Sequence, residues 1–171
     1  MRYLLDTNVL SELQRPKPDD ELIKWFDEVE ERWMCTSVIV IGEIKRGIES
    51  LRRRDPAQAA RRDPWYDDLV AWGSERLLPV TLPIMVDWAR MSVPDPLPAL
   101  DGLIAATARV HDLAVVTRNV ADFKRAGVAI VNPFDPRLPT AGTVPAAGPG
   151  TSHPLAEPPN LSPRPHHLRL A

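Results

Sequence analysis

Apolar residues occur along this chain in two patterns, as short unbroken runs and as longer stretches at helical spacing. Unbroken runs predict strands buried on both faces, and the spaced stretches predict amphipathic helices. Five strands are predicted, at residues 3–5, 33–36, 77–81, 113–117 and 128–131. Pro79 places the third strand at an edge of the sheet. Since strands alternate with helices, the pattern predicts an α/β fold with a central parallel sheet flanked by helices.

The helix ends are predicted from capping residues and prolines. Thr7 or Asn8 is expected to cap the first helix, and Ser37 a long helix from residue 38 to about residue 54. A helix over residues 57–76 is expected to be interrupted at Pro64. Three prolines make residues 93–98 a loop, after which another helix opens.

The character of the chain changes after about residue 137. Residues 138–171 are rich in proline and glycine and show no periodic apolar pattern, which predicts a disordered tail after a domain at residues 1–137. His153, His166 and His167 lie in this tail, where nothing is expected to hold them as metal ligands.

Composition narrows the class of protein. A length of 171 residues suits one domain with a real core, and a net charge of -2 excludes a broad basic surface for nucleic acid. The single cysteine, Cys35, excludes a disulfide framework and suits a reducing compartment. No apolar run approaches the length of a membrane span. We therefore expect a cytoplasmic protein.

Acidic residues recur beside the predicted buried elements. Asp6 directly follows the first strand, Asn119 and Asp122 follow the fourth, and Glu43 and Asp101 lie early in helices with apolar faces. If the first and fourth strands are neighbours, these groups converge at one sheet edge, where ligands bind in open α/β sheets. Clustered carboxylates repel one another, and a divalent cation relieves that repulsion. Oxygen ligands without histidine or cysteine favour magnesium or manganese.

Such a site suits phosphodiester hydrolysis. A metal held by carboxylates lowers the pKa of a bound water and stabilises charge on phosphoryl oxygens. Thr7 and Asn8 stand beside the site and can orient water or a phosphate, and Arg118 can contact a backbone phosphate. For Lys45 and Arg46 a solvated helix face is the simpler interpretation.

Four segments together resemble one known family. They are LDTNVLSE at 5–12, TSV at 36–38 with GEI at 42–44 and GI at 47–48, DGLIAATA at 101–108, and TRNVADF at 117–123. The chain resembles the PIN-domain ribonucleases, and within them the VapC-type toxins of bacterial toxin–antitoxin pairs. This resemblance implies a parallel sheet, a magnesium- or manganese-dependent endoribonuclease, a homodimer, and inhibition by a small antitoxin.

The family's acidic metal ligands correspond to Asp6, Glu43 and Asp101. Its fourth acidic position falls on Asn119, which can bind through its carbonyl oxygen but brings no charge; Asp122, one helical turn later, is the alternative. Metal number and affinity therefore stay open.

Two functions are consistent with the sequence. One is an active endoribonuclease toxin, which the three intact acids favour. The other is an inactive PIN-like scaffold that binds RNA or a protein partner without cleavage, of which Asn119 would be the sign. A phosphoryl-transfer receiver domain needs paired acids early in the chain and a lysine after the last strand. This chain has Asp6 alone and no lysine after Val131, so that class is set aside.

Overall fold

The computed structural model describes residues 2–135. The predicted tail, residues 138–171, and the domain boundary at residue 137 lie outside the described residues. Within those residues no helix is both long enough and apolar enough to cross a membrane.

A parallel sheet of five strands forms the centre of the described part. The strands are β1 Arg2–Leu5, β2 Met34–Ser37, β3 Leu77–Leu78, β4 Leu113–Val116 and β5 Ala129–Val131. Their order is β3-β2-β1-β4-β5, so β1 is central and pairs with both β2 and β4. This confirms the predicted fold class and the pairing of the first strand with the fourth.

Helices cover the sheet and connect its strands. They are α1 Thr7–Glu12, α2 Asp20–Glu28, α3 Val38–Arg52, α4 Pro56–Gly73, α5 Leu82–Met91, α6 Ala99–Val110 and α7 Val120–Arg125, with a short 3-10 turn at Glu31–Trp33. α3 packs mainly on α4, and α5 packs mainly on α6.

The core is built on the two central strands. Leu4, Leu5, Val115 and Val116 are completely buried, as the unbroken apolar runs predicted. Burying each such side chain contributes about 1.5–3 kcal/mol. The carboxyl ends of β1 and β4 are therefore held firmly, and the residues that follow them have fixed positions.

The first helix begins one residue earlier than expected. Asp6, in extended conformation, is its cap and accepts a hydrogen bond from the Thr7 N–H, so the prediction of Thr7 or Asn8 as cap is wrong. The strand ends at Leu5 and the helix starts immediately, which leaves only Asp6 in the cap position. Ser37 caps α3 as predicted, through its side chain and the Val40 N–H.

The predicted interruption at Pro64 is also wrong, since α4 runs through it without a break. Pro64 and Ala60, whose carbonyl loses its helical partner there, are both exposed, so water can satisfy that carbonyl. α4 then ends at Gly73, and β3 has only two residues, ending just before Pro79.

Candidate active site

The Asp6 carboxylate is fixed at the carboxyl edge of the central strand. Its side chain is only 4% exposed. Oδ1 accepts the Thr7 N–H at 2.7 Å, and Oδ2 accepts the Asn8 amide at 2.6 Å and the Thr117 hydroxyl at 2.6 Å. These three donors hold one carboxylate orientation.

Thr117 joins the ends of the two central strands. Its hydroxyl donates to Asp6 and accepts from the Asn8 amide and from the Asn119 N–H, each at 2.9 Å. The residue is completely buried. Sequence analysis did not single it out, because its place beside Asp6 follows from the register that pairs Leu5 with Val116, and the register is seen only in the structure.

Glu43 reaches the site from the first half of α3. Its Oε2 accepts the Thr7 hydroxyl at 2.7 Å, and its Oε1 faces the Arg46 guanidinium at 3.5 Å. The Glu43 side chain is 17% exposed, whereas that of Arg46 is 73% exposed. Thr7 therefore connects Asp6, through its N–H, to Glu43, through its hydroxyl.

Asn119 lies between two further carboxylates. Its amide donates to Asp122 Oδ2 at 2.8 Å and, more weakly, to Asp101 Oδ2 at 3.4 Å. Asp101 comes from the first turn of α6, and Asp122 from the first turn of α7. The structure thus places the acidic residues and the amide named from the sequence in one region.

The pKa values of two of these carboxyls are raised by burial and by the charges of the neighbouring acids. Burial, and after it the charges of Asp6, Glu43 and Asp122 in that order, raise the pKa of Asp101 to about 6. Burial also raises the pKa of Asp6, against the lowering effect of hydrogen bonds from Thr117 and Thr7. The negative charges repel one another without a cation between them.

Arg118 lies beside this region and is held by several contacts. Its N–H donates to Asn8 Oδ1 at 3.0 Å, and its guanidinium lies 3.9 Å from the centre of the Phe134 ring. The same guanidinium donates to Glu12 Oε2 at 3.2 Å. Glu12 is 4% exposed and was not predicted as a site residue. Its spacing from buried Val9, three residues earlier, would have placed it on the inner face of α1.

Lys45 points away from the acids. It lies 3.2 Å from Glu49 and 4.9 Å from the centre of the Tyr66 ring. It belongs to the contact between α3 and α4.

The carboxylates are near one another but do not form a ready ligand cage. Within residues 2–135, no three Asp, Glu, His or Cys side chains are arranged as a metal-binding set. Hydrogen bonds from Thr7, Asn8, Thr117 and Asn119 occupy oxygens of the acids instead.

The parallel sheet has the order 3-2-1-4-5, and an acidic region lies at the carboxyl end of its central strand. These features define the class of this protein, an α/β protein with an acidic site at the carboxyl end of its sheet. The sequence profile of the PIN domain matches residues 3–129, and the chain belongs to the PIN domain family.

Two curated relatives match over nearly their whole length. The chain is 31% identical to "Toxin FitB" of Neisseria gonorrhoeae over 136 residues, covering 77% of this chain and 97% of the relative. It is 30% identical to "VapC ribonuclease Y4jK" of Sinorhizobium fredii over 141 residues, covering 78% of this chain and 98% of the relative.

Solved structures agree with this assignment. The crystal structure of FitAcB from Neisseria gonorrhoeae matches with a TM-score of 0.68 and 31% identity, over 77% of this chain and 98% of the solved one. The structure of FitAB bound to the IR36 DNA fragment matches with a TM-score of 0.70 and 29% identity, over 78% and 96%. The chain is thus similar to VapC-type PIN toxins.

Proposed function

We propose that this protein is the toxin of a toxin–antitoxin pair and cuts RNA as a magnesium- or manganese-dependent endoribonuclease. The observation that carries the proposal is the convergence of Asp6, Glu43, Asp101 and Asp122 at one end of the sheet, where burial and then the neighbouring charges raise the pKa of Asp101 to about 6. The names of the curated relatives, a VapC ribonuclease and a toxin, support the same function.

The donor atoms of the site fit a hard divalent ion. Carboxylate oxygens predominate, and amide and hydroxyl oxygens stand beside them. Asp6, Glu43 and Asp101 would hold the ion, with Asn119 or Asp122 completing the set. When bound, the ion would lower the pKa of a water and stabilise negative charge on the phosphate.

The residues of this chain supply position and charge. The sheet and three hydrogen bonds fix Asp6, whereas Glu43 and Asp101 reach the site from helices. Because no three carboxylates already form a ligand set, binding an ion requires some of these helix-borne side chains to turn. The Asn119 amide would give up its hydrogen bond to Asp101 Oδ2 or to Asp122 Oδ2 wherever that oxygen becomes a ligand.

A small antitoxin and a second copy of this chain are the proposed protein partners. Solved structures similar to this chain include FitAB bound to a DNA fragment and a toxin–antitoxin complex from Klebsiella pneumoniae. A basic side chain of the antitoxin can replace the cation at the acids, since a guanidinium pairs with carboxylates through two parallel hydrogen bonds. A complex in which the acidic region stays open to solvent would count against this mode of inhibition.

We expect the antitoxin to bury apolar surface of the first three helices, α1 to α3, and exposed apolar side chains also lie elsewhere. Of the large apolar side chains that are exposed within residues 2–135, only Val38 lies on those helices. Leu82, Met85 and Val86 lie on α5. We therefore include α5 in the surface that a partner would cover.

RNA cleavage by the purified protein tests the function. The wild type is expected to cut single-stranded or loop RNA with magnesium or manganese and to stop in EDTA, whereas Asp6→Ala is expected to lose activity by orders of magnitude. Asp67→Ala is a matched control, because Asp67 is an exposed aspartate on α4. Cutting that survives EDTA, or equal cutting by Asp6→Ala, would refute the mechanism.

An inactive scaffold is the second candidate, and one observation favours it. The Asn119 amide takes the place of a charge and already bonds to Asp101 and Asp122. A wild-type protein that binds RNA or a partner, cuts none of the RNAs offered, and takes up no manganese in calorimetry would establish this alternative.

A further inference from the structure

Glu12 is a buried carboxylate that the proposed chemistry does not use. It is the last residue of α1, and its side chain is 5% exposed. A buried carboxylate is costly unless it is paired with a cation and hydrogen-bonded. Its negative charge must therefore be balanced by specific partners.

Two arginines meet at one oxygen of Glu12. Arg118 approaches Oε2 at 3.2 Å and Arg15 approaches the same atom at 3.3 Å. Their side chains are 46% and 62% exposed, so each also faces solvent. Two guanidinium groups against one carboxylate leave one positive charge in excess at this point of the surface.

Arg118 is the better fixed of the two. Phe134 packs against its guanidinium, and Asn8 accepts its backbone N–H. Asn8 in turn donates to Asp6, which places the backbone of Arg118 two hydrogen bonds from the acids. Glu12 is five residues beyond Thr7 on α1, about 7.5 Å further along the helix axis at about 1.5 Å per residue. The arginines therefore stand to one side of the acids.

We infer that Glu12 holds Arg118 and Arg15 together as a binding site for a phosphodiester group of the RNA, adjacent to the one that is cut. This inference rests on the proposed function. An RNA strand that approaches four carboxylates is repelled, and the chain has a net charge of -2, so attraction must come from local cations. Arginine suits this task, since its planar fork matches two phosphate oxygens. Glu12 is a positioning residue here, and the two arginines make the contact.

RNA binding without cleavage tests the site. The probe is a fluorescein-labelled, mixed-sequence single-stranded RNA, titrated with protein in EDTA and followed by anisotropy, with a gel to show that it stays intact. Arg118→Gln and Arg15→Gln are each expected to weaken binding about tenfold at low salt and to reduce the slope of log K against log salt by about one. Arg32→Gln is the matched control. Arg32 also pairs with a glutamate, Glu30, and stacks on an aromatic ring, Trp33, but it lies at the amino ends of the strands, just before β2.

Glu12→Gln tests the positioning role. It is expected to weaken RNA binding while keeping both positive charges, and to make the additional loss from Arg118→Gln smaller than in the wild type. Because Glu12→Gln breaks the ion pairs with Arg15 and Arg118 and can lower stability, melting in the same buffer accompanies each variant. Arg118→Lys is the second variant: it keeps the charge and the fold but loses the fork, and weaker binding is again expected.

The outcomes separate the inference from the proposed function. Wild-type binding by both Arg118→Gln and Arg15→Gln, in a protein whose wild type cuts RNA, would overturn the phosphate site and leave the nuclease standing. Wild-type binding by folded Glu12→Gln would overturn the positioning role. A wild type that cuts no RNA but binds it with the expected arginine dependence would instead support the site and count against the nuclease.

Discussion

Asp101→Asn is expected to make the metal-free protein more stable at neutral pH. Burial and the charges of Asp6, Glu43 and Asp122 raise the pKa of Asp101 from 3.8 to about 6. Its ionised form is therefore disfavoured in the folded state compared with the unfolded state. An asparagine has nearly the same shape and removes the charge.

The size of the effect follows from the pKa and the exposure of the group. Moving a pKa from 3.8 to about 6 corresponds to at most about 3 kcal/mol. Asp101 is only partly buried, so solvent screening reduces this to about half. Losing a negative charge in the first turn of α6 costs about 0.5 kcal/mol. The net gain is about 1 kcal/mol, or roughly 3 °C in melting temperature.

The stability difference between Asp101→Asn and the wild type is expected to depend on pH. Because the folded pKa is raised, the stability that the protonated group provides is complete below about pH 4 and is lost as the pH rises through about 6. Calorimetric melting in EDTA should therefore show Asp101→Asn above the wild type at about pH 8 and equal to it near pH 4. Asp67→Asn, an exposed change on α4, is the control. A variant that is no more stable than the wild type at about pH 8 would show that burial and the neighbouring acids do not disfavour the charge of Asp101 as described.

Three other changes are expected to act on separate features. Thr117→Val removes a donor to Asp6 and the acceptor of an N–H, and urea unfolding should show a loss of about 2 kcal/mol. NMR titration of the same variant should give a higher pKa for Asp6, whose pKa the Thr117 bond lowers. Pro64→Ala restores a helical hydrogen bond in α4 and should raise stability by about 1 kcal/mol or more, read from urea unfolding. A chain ending at residue 137 should melt within a few degrees of the full chain, because the composition of 138–171 offers little apolar surface to bury.

Residues in unbroken apolar runs could be placed from the sequence. The first and fourth strands are buried on both faces, and a buried run ends where its apolar residues end, so the position of Asp6 could be predicted. Glu43 and Asp101 could be placed near it, because Glu43 lies in the first half of α3, which follows β2, and Asp101 lies in the first turn of α6, which precedes β4.

Contacts between distant segments could not be predicted in the same way. Thr117 is ordinary in its own segment, and only its pairing with Asp6, 111 residues away, makes it a fixed part of the site. The helical spacing of Glu12 from Val9 indicates an inward side chain, but its contact with Arg118, 106 residues away, could not be predicted. Pro64 does not break α4 because it lies on the exposed face of that helix. Which face is exposed is set by the packing of α4 on α3, and the sequence of α4 alone does not show it.

The two outer strands of the sheet are short. β3 has two residues and β5 has three, so each outer edge presents few backbone N–H and C=O groups for another chain to pair with. Addition of a strand from a partner gains its affinity from main-chain hydrogen bonds along an exposed edge. Edges of this length give too few of them, which also protects the folded protein from edge-to-edge aggregation. Within residues 2–135, association with other chains is therefore left to the helices.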